Sequence, residues 1–245
     1  MRIAALYDIH GNLPALEAVL ADVKEAEADT LLIGGDVVPG PMPSECLDLI
    51  AAQELPTRFI RGNGEADVVA VYDGEIPTRV PDAFRGVIRW VAERLSRSQR
   101  DWLASWPLTA SLPESPWGEV LFCHATPRDD NEIFTERTPT ERLLPVFEAT
   151  GASVVICGHT HMPFDRAVGA IRIVNAGSVG LPFGDPAASW ALVEPDAITL
   201  RRTDYDVDRA TARAAATGYP IALDLARPPS AVEMRARFEA VAIGS

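Results

Sequence analysis

Every histidine of the chain stands in a short polar run of the kind that holds metal ions. His10 lies in Asp8-Ile9-His10-Gly11-Asn12, His124 in Cys123-His124-Ala125, and His159 and His161 share Gly158-His159-Thr160-His161. Gly35-Asp36 and Gly62-Asn63 add a carboxylate and an amide in the same setting. Histidines used for packing or solvation also fall on helix faces and in turns, but here none of the 4 is left over. Two aspartates, one asparagine and four imidazoles form a mixed nitrogen and oxygen donor set. Such a set suits Mn²⁺, Fe²⁺, Co²⁺, Ni²⁺ or Zn²⁺ better than Ca²⁺ or Mg²⁺, which prefer oxygen alone. Two such ions ~3.5–4 Å apart clamp phosphate oxygens and generate a bridging hydroxide near neutral pH. One Asp-x-His or His-x-His is a weak sign of this chemistry; five runs in order are a strong one.

The elements that must position these residues are short apolar runs of strand length. Ile3–Tyr7, Thr30–Ile33, Arg58–Ile60, Glu119–Cys123 and Ser153–Cys157 each end directly on a motif. In layered α/β folds, ligands bind beyond the carboxyl ends of strands, so five strand ends carrying polar donors predict one site. Asn12 is suited to cap a helix with Pro14 in its first turn and Leu16, Val19, Leu20 and Val23 on one face. Thr138 and Glu141 read as a capping box for a helix over Glu141–Ala149, and Ser230 with Glu233 repeats the signature. Residues 66–112 read as a helical excursion of two segments carrying Trp90, Trp102 and Trp106. Those rings either stack on a substrate or, at helical spacing beside Val87, Leu95 and Leu103, fill the core. Ile171–Val174 and Trp190–Arg202 return to strand character, with a turn at Glu194–Ala197. The whole of 1–245 reads as a single domain, ending in a helical tail over about 205–245.

A chain of 245 residues with 47 % hydrophobic and 23 % charged residues is an ordinary globular composition. The net charge of −13 argues against a surface that coats nucleic acid, because phosphate backbones are held by clustered Lys and Arg. It leaves open a small anionic substrate, since bound cations invert the local field. Three cysteines without regular spacing (Cys46, Cys123 and Cys157) form no disulfide framework and suit a reducing compartment. Cys123 and Cys157 precede motif histidines, as soft ligands or as buried small hydrophobes. The apolar run at Ile3–Tyr7 is too short for a signal-peptide core or a membrane span. The expectation is a cytoplasmic protein with no membrane partner.

In these motifs the chain resembles the calcineurin-like metallophosphoesterase superfamily. Its small bacterial phosphodiesterase branch is the nearer match, through Gly35-Asp36-Val37-Val38-Pro39-Gly40-Pro41, Arg61-Gly62-Asn63-Gly64-Glu65 and His124-Ala125-Thr126-Pro127. Asn175-Ala176-Gly177-Ser178-Val179-Gly180 strengthens that match. The resemblance implies an α/β fold, a four-layer α-β-β-α sandwich with two mixed β-sheets. It also implies that Asp8, His10 and His161 hold one metal, that Asn63, His124 and His159 hold the other, and that Asp36 bridges them. Asp36, Asn63 and His124 are then the catalytic set. Asn12 and Arg61 are candidate substrate contacts, although Asn12, like Asn175, suits a cap or turn equally, and Arg61 suits the opposite layer equally. The sequence departs from the superfamily pattern at Pro39-Gly40-Pro41, where a second aspartate is common, and at Gly64. Much of the superfamily has at the latter position a histidine that contacts phosphate and protonates the leaving oxygen. Gly64 removes that acid or opens the pocket for a bulky substituent, and it leaves Glu65 without its usual partner.

The expectation is a dinuclear metal-dependent phosphohydrolase, a phosphodiesterase acting on a small phosphate ester through a metal-bridging hydroxide attacking phosphorus in line. The cofactors expected are two divalent transition-metal ions, Mn, Fe, Ni, Co or Zn. The alternatives are a phosphomonoesterase or dinucleoside polyphosphate hydrolase on the same site, and a non-catalytic metal-binding scaffold for protein partners.

Overall fold

Alternation along the first strand decides the layering. Side chains of successive strand residues point to opposite faces, and in β1 (Ile3–Leu6) Ala4 and Leu6 pack against helices while Ile3 and Ala5 pack against a second sheet. The computed structural model describes residues 1–244, apart from the side chains of Pro113 and Glu114. After β1 come α1 (Leu13–Glu25), β2 (Thr30–Ile33), α2 (Pro43–Ala51) and β3 (Thr57–Phe59). Three helices follow, α3 (Asn63–Tyr72), α4 (Asp82–Ala92) and α5 (Arg97–Ala104). The chain continues through β4 (Thr109–Ser115), β5 (Gly118–Cys123), α6 (Thr140–Phe147), β6 (Val154–Cys157), β7 (Phe164–Val168) and β8 (Ile171–Asn175). It ends with β9 (Ala188–Val193), β10 (Ile198–Thr203), α7 (Val207–Ala216) and α8 (Ala231–Glu239).

Two five-stranded sheets result, in the orders β10-β9-β1-β2-β3 and β4-β5-β6-β8-β7. Both are mixed: β1, β2 and β3 run parallel, as do β5, β6 and β8, while the flanking strands are antiparallel. Ile3, Ala5, Tyr7 and Leu32 meet Val120, Phe122, Val154 and Ile156 between the sheets. The buried Tyr7 hydroxyl crosses this gap to donate to the Ile156 carbonyl at 2.9 Å. On the outer face of the second sheet, Leu121, Val155 and Ile173 pack under Leu143 and Phe147 of α6. This is the expected four-layer α-β-β-α sandwich.

Several local expectations need correction. The stretch 66–112 holds parts of three helices rather than two segments, and by Thr109 the chain is already in β4. There Ala110 and Leu112 face the inter-sheet core and pair with Phe122 and Val120. The Thr138 capping box does not form, because its hydroxyl donates to Glu239 Oε1 at 2.7 Å and accepts from the Thr135 amide at 2.9 Å. Helix α6 begins at Thr140 behind Pro139 without a side-chain cap, and Ser230 likewise caps α8 without a side-chain bond. Trp102 and Trp106 cluster with Phe59, with ring centroids 5.1 and 4.9 Å from it, so they belong to the core. Trp90 lies under the Arg94 guanidinium at 3.4 Å. Among the described residues no helix is long and apolar enough to cross a membrane.

Candidate metal centre

The carboxyl ends of the parallel strands in both sheets converge on one point. Asp8 and His10 follow β1, Asp36 follows β2, and Asn63 opens α3 after β3. From the second sheet, His124 follows β5 and His159 and His161 follow β6. Asp8 Oδ1 lies 3.2 Å from His161 Nε2, 3.7 Å from His10 Nε2 and 3.8 Å from His124 Nε2. Asp36 turns Oδ2 toward His10 Nε2 at 3.7 Å and Oδ1 toward His124 Nε2 at 3.6 Å. Asp8, His10 and His161 form one potential ion-binding group, and Asp8, Asp36 and His124 a second. Both aspartates therefore reach across the two groups, whereas the resemblance singles out Asp36.

The protein sets the histidine tautomers from behind. Carbonyl oxygens only accept, so the Nδ1–H of His10 donates to Pro39 O at 3.0 Å, that of His124 to Gly34 O at 2.9 Å, and that of His161 to Leu181 O at 2.7 Å. Each ring thereby presents a bare Nε2 inward, the form a cation requires. His159 is reversed: its Nε2–H points to Asn131 O at 3.3 Å, leaving Nδ1 as its free donor atom. The backbone pays for this convergence. Six non-glycine residues have positive φ among the described residues, and five of them are Asp8, His10, Asp36, His159 and His161. Strain of this kind costs on the order of 1–3 kcal/mol per residue and concentrates at functional sites.

The donor set fits a cation. Of the five buried side-chain polar atoms without a hydrogen-bond partner among the described residues, three are Asp8 Oδ1, Asn63 Oδ1 and His124 Nε2. Burial pushes the Asp36 carboxyl up to about 7, with Asp8 adding to the effect and His10 opposing it. That is a carboxyl lacking its countercharge. Burial also acts to raise Asp8, but His161 and His124 outweigh it and hold the group well below the usual carboxylate range. His159 is pushed down to about 3 by burial, reinforced by His124.

Glu65 is not the unpartnered residue that the missing histidine implies. Its carboxylate accepts from the backbone amides of Asp36 and Gly62 at 2.7 Å and of Val38 at 3.1 Å, tying the β2 and β3 loops together. Gly64 is explained by the same packing. A Cβ there would lie 2.2 Å from Val38 O and 2.6 Å from Pro39 Cδ, and its amide donates to Asp36 Oδ1 at 2.7 Å. Close approach therefore favours glycine here, a packing reason that stands beside the loss of an acid group. Pro39-Gly40-Pro41 also serves the site, since Pro39 anchors His10 and a Cβ on Gly40 would meet His10 O at 1.9 Å. Gly64→Ala is expected to destabilise the fold by about 1–3 kcal/mol through overpacking. Urea melts measure this, and an unchanged midpoint would contradict it.

Other candidates are placed elsewhere. Asn12 is 1 % exposed: its Oδ1 caps α1 through the Ala15 amide, and its Nδ2 donates to Gly180 O and Tyr205 Oη. With every polar atom engaged, it is a brace rather than a substrate contact. Asn175 holds Gly158 O at 2.6 Å and so fixes the loop carrying His159. Cys123 and Cys157 are buried beside α6, their thiols pushed up by burial, and act as small hydrophobes. Arg61 stays at the surface, with Nε 3.4 Å from Asp130 Oδ2. Sequence reasoning missed Arg79, which donates to Asp67 and Asp130 at 2.7 Å and to the Asn63 carbonyl at 3.2 Å. No local signal marks it, because Asp130 lies 51 residues away.

The comparisons agree with this geometry. The Escherichia coli phosphodiesterase YfcE is 26 % identical over 82 % of this chain and 91 % of its own. A metallophosphoesterase from Sphaerobacter thermophilus superposes with a TM-score of 0.73 at 28 % identity, covering 92 % of this chain and 99 % of its own. A protein from Pyrococcus horikoshii shares the fold at a TM-score of 0.78 and 21 % identity, over 94 % of this chain and 99 % of its own. Residues 1–197 match the calcineurin-like phosphoesterase superfamily domain, and the chain, with candidate metal-ligand groups at its strand ends, belongs to that superfamily of metal-dependent phosphoesterases.

Proposed function

We propose that the protein is a phosphodiesterase working at a two-cation centre held by Asp8, His10, Asp36, Asn63, His124, His159 and His161. The observation that carries the reading is the cluster of partnerless buried ligand atoms around two ligand groups that share Asp8. The similarity to a relative named as a phosphodiesterase points the same way. Divalent cations, when bound, supply Lewis acidity toward phosphoryl oxygens and lower the pKa of water. The chain's own residues orient: three backbone carbonyls hold imidazoles, Glu65 clamps two loops, and Arg79 braces Asn63. In the overall reaction a water oxygen bonds to phosphorus, the ester P–O bond breaks, and the departing oxygen takes a proton. Gly64 offers no side chain to supply that proton.

Methyl 4-nitrophenyl phosphate with Mn²⁺ is the direct test. Turnover above that of the 4-nitrophenyl monoester, with two ions per chain by elemental analysis, is the expected result. Fewer than one ion in fully reconstituted protein would sink the two-cation centre, and a monoester preference would sink the diesterase. Because general acid catalysis is typically worth ~10²–10⁴-fold and matters most for poor leaving groups, rates across methyl aryl diesters should fall steeply as leaving-group pKa rises. A shallow dependence would reveal an acid elsewhere.

A further inference from the structure

Two apolar cavities flank the centre and share a wall. One, about 350 Å³, opens onto His10, Asp36 and Asn63 and is lined by Val80, Phe84, Ile88, Tyr219, Ile221 and Leu223. The other, about 310 Å³, opens onto His161 and is lined by Phe183, Tyr205, Leu225 and Pro228. Leu181 and Leu223 border both. The two histidines at their inner ends bring Nε2 atoms within 3.1 Å of each other. A tetrahedral group at that point thus has an apolar chamber on either side.

Charge in the chambers is sparse and lies at their rims. Apart from candidate ligands, the first is lined by Asp67 and Arg79, paired at 2.7 Å, and the second by Asp224 and Arg227, paired at 4.0 Å. In the first chamber Arg79 is held between Asp67 and Asp130, and in the second Arg227 is a solvent-exposed side chain at the rim, so no buried cation stands ready for a second phosphate, which Arg or Lys would have to bind. The walls are instead aliphatic and aromatic, and Phe84 keeps 51 % of its surface exposed at the mouth of the first. Apolar walls with few polar groups, at volumes of about 300 Å³ and above, are typical of small-molecule sites. A cavity of about 150 Å³ already holds benzene.

We propose that the centre selects phosphodiesters with two uncharged, apolar substituents, one lodged in each chamber, over nucleotide and polyphosphate esters. This rests on the diesterase reading and names its substrate class. Phe84, Ile221 and Leu223 are then specificity residues, and the tail segment Tyr219–Leu225 is part of the substrate site.

The test uses Mn²⁺-loaded full-length protein and three diesters with the same leaving group: phenyl, methyl and thymidine 5′ 4-nitrophenyl phosphate, each referred to its uncatalysed rate. From the burial of one phenyl group, kcat/KM for the phenyl ester should exceed that for the methyl ester by at least about tenfold. The thymidine ester should gain nothing over methyl. Calorimetry with the non-hydrolysable diphenylphosphinate and dimethylphosphinate should show the same order of preference in Kd. Leu223→Ser and Ile221→Asp should each shrink the phenyl preference at least about fivefold. Equal affinity for the two phosphinates, or preference for the thymidine ester, overturns the chamber assignment whatever the variants do. Absence of diester turnover with the phenyl preference in binding intact overturns the diesterase reading alone.

Discussion

Asp36→Asn is expected to lower kcat/KM for an aryl phosphodiester by at least about 10³-fold. The substitution keeps the shape and one oxygen, so the amide of Gly64 keeps its acceptor. It removes the charge of a carboxylate whose two oxygens lie within 3.7 Å of histidines on opposite sides of the centre. Cation-borne charge stabilisation is worth several kcal/mol, and each ~1.4 kcal/mol is tenfold in rate. The variant should therefore bind metal weakly at both positions. His10→Ala should behave differently: His10 belongs to only one ligand group, so about half the metal should remain. Asp8→Asn is the informative companion, because Asp8 Oδ1 also faces histidines of both groups. If Asp36→Asn keeps its full metal content and a rate within about tenfold of the parent, the shared-carboxylate centre is wrong.

Acid is expected to act in opposite directions on the loaded and the metal-free protein. Cations need neutral imidazoles, so metal-linked stability is present above the free-histidine value of ~6.5 and is lost below it. At a hundredfold excess over Kd that linkage is worth ~2.7 kcal/mol per site. Without metal the balance reverses. Asp36 and Glu65 are both pushed up to about 7 by burial, so between about 4.5 and 7 the fold carries protons that the unfolded chain has released. His159, held down to about 3, opposes them, since below ~6.5 it is the unfolded chain that takes up its proton. Two carboxyls against one imidazole leave the fold roughly one proton ahead, so stability rises as pH falls, by on the order of 1 kcal/mol per pH unit. Melts from pH 7 to 5 with and without chelator should therefore slope in opposite senses. Parallel slopes would show that these carboxyls do not carry their protons in the fold.

The centre was legible because its donors interrupt apolar runs abruptly. Asp8 after Leu6 and Tyr7, or His159 after Val154–Cys157 and Gly158, is polarity that no strand face explains. The layered α/β class followed from the alternation of strand-like and helical stretches, and the four-layer arrangement from the family resemblance. The elements that escaped had muted patterns: β7 reads Phe-Asp-Arg-Ala-Val, an edge strand with Asp165 exposed and Arg166 half-buried against the Glu136 and Thr138 carbonyls, and β4 continued a helical region without a break in composition. Capping signatures failed where a distant partner took the hydroxyl, as Glu239 does at Thr138. At Gly64 sequence shows only a missing side chain, and the structure adds that a carbonyl from another loop leaves no room for one. Arg79 and the two chambers depend on segments far apart in the chain, which no spacing rule connects.

Asp8 follows a strand of the first sheet and His159 one of the second, and the backbone amide of His159 donates to the Asp8 carboxylate at 2.8 Å across 151 residues of chain. A cation gripping both loops is in topological terms a reversible cross-link closing most of the polypeptide into a ring. Such a contact joins elements remote in sequence, and it falls among those that form last in folding and break first in unfolding. Its effect then lies on the unfolding rate far more than on the folding rate. Metal-loaded protein is therefore expected to resist proteolysis longer than metal-free protein, which a limited-digestion time course with and without chelator measures.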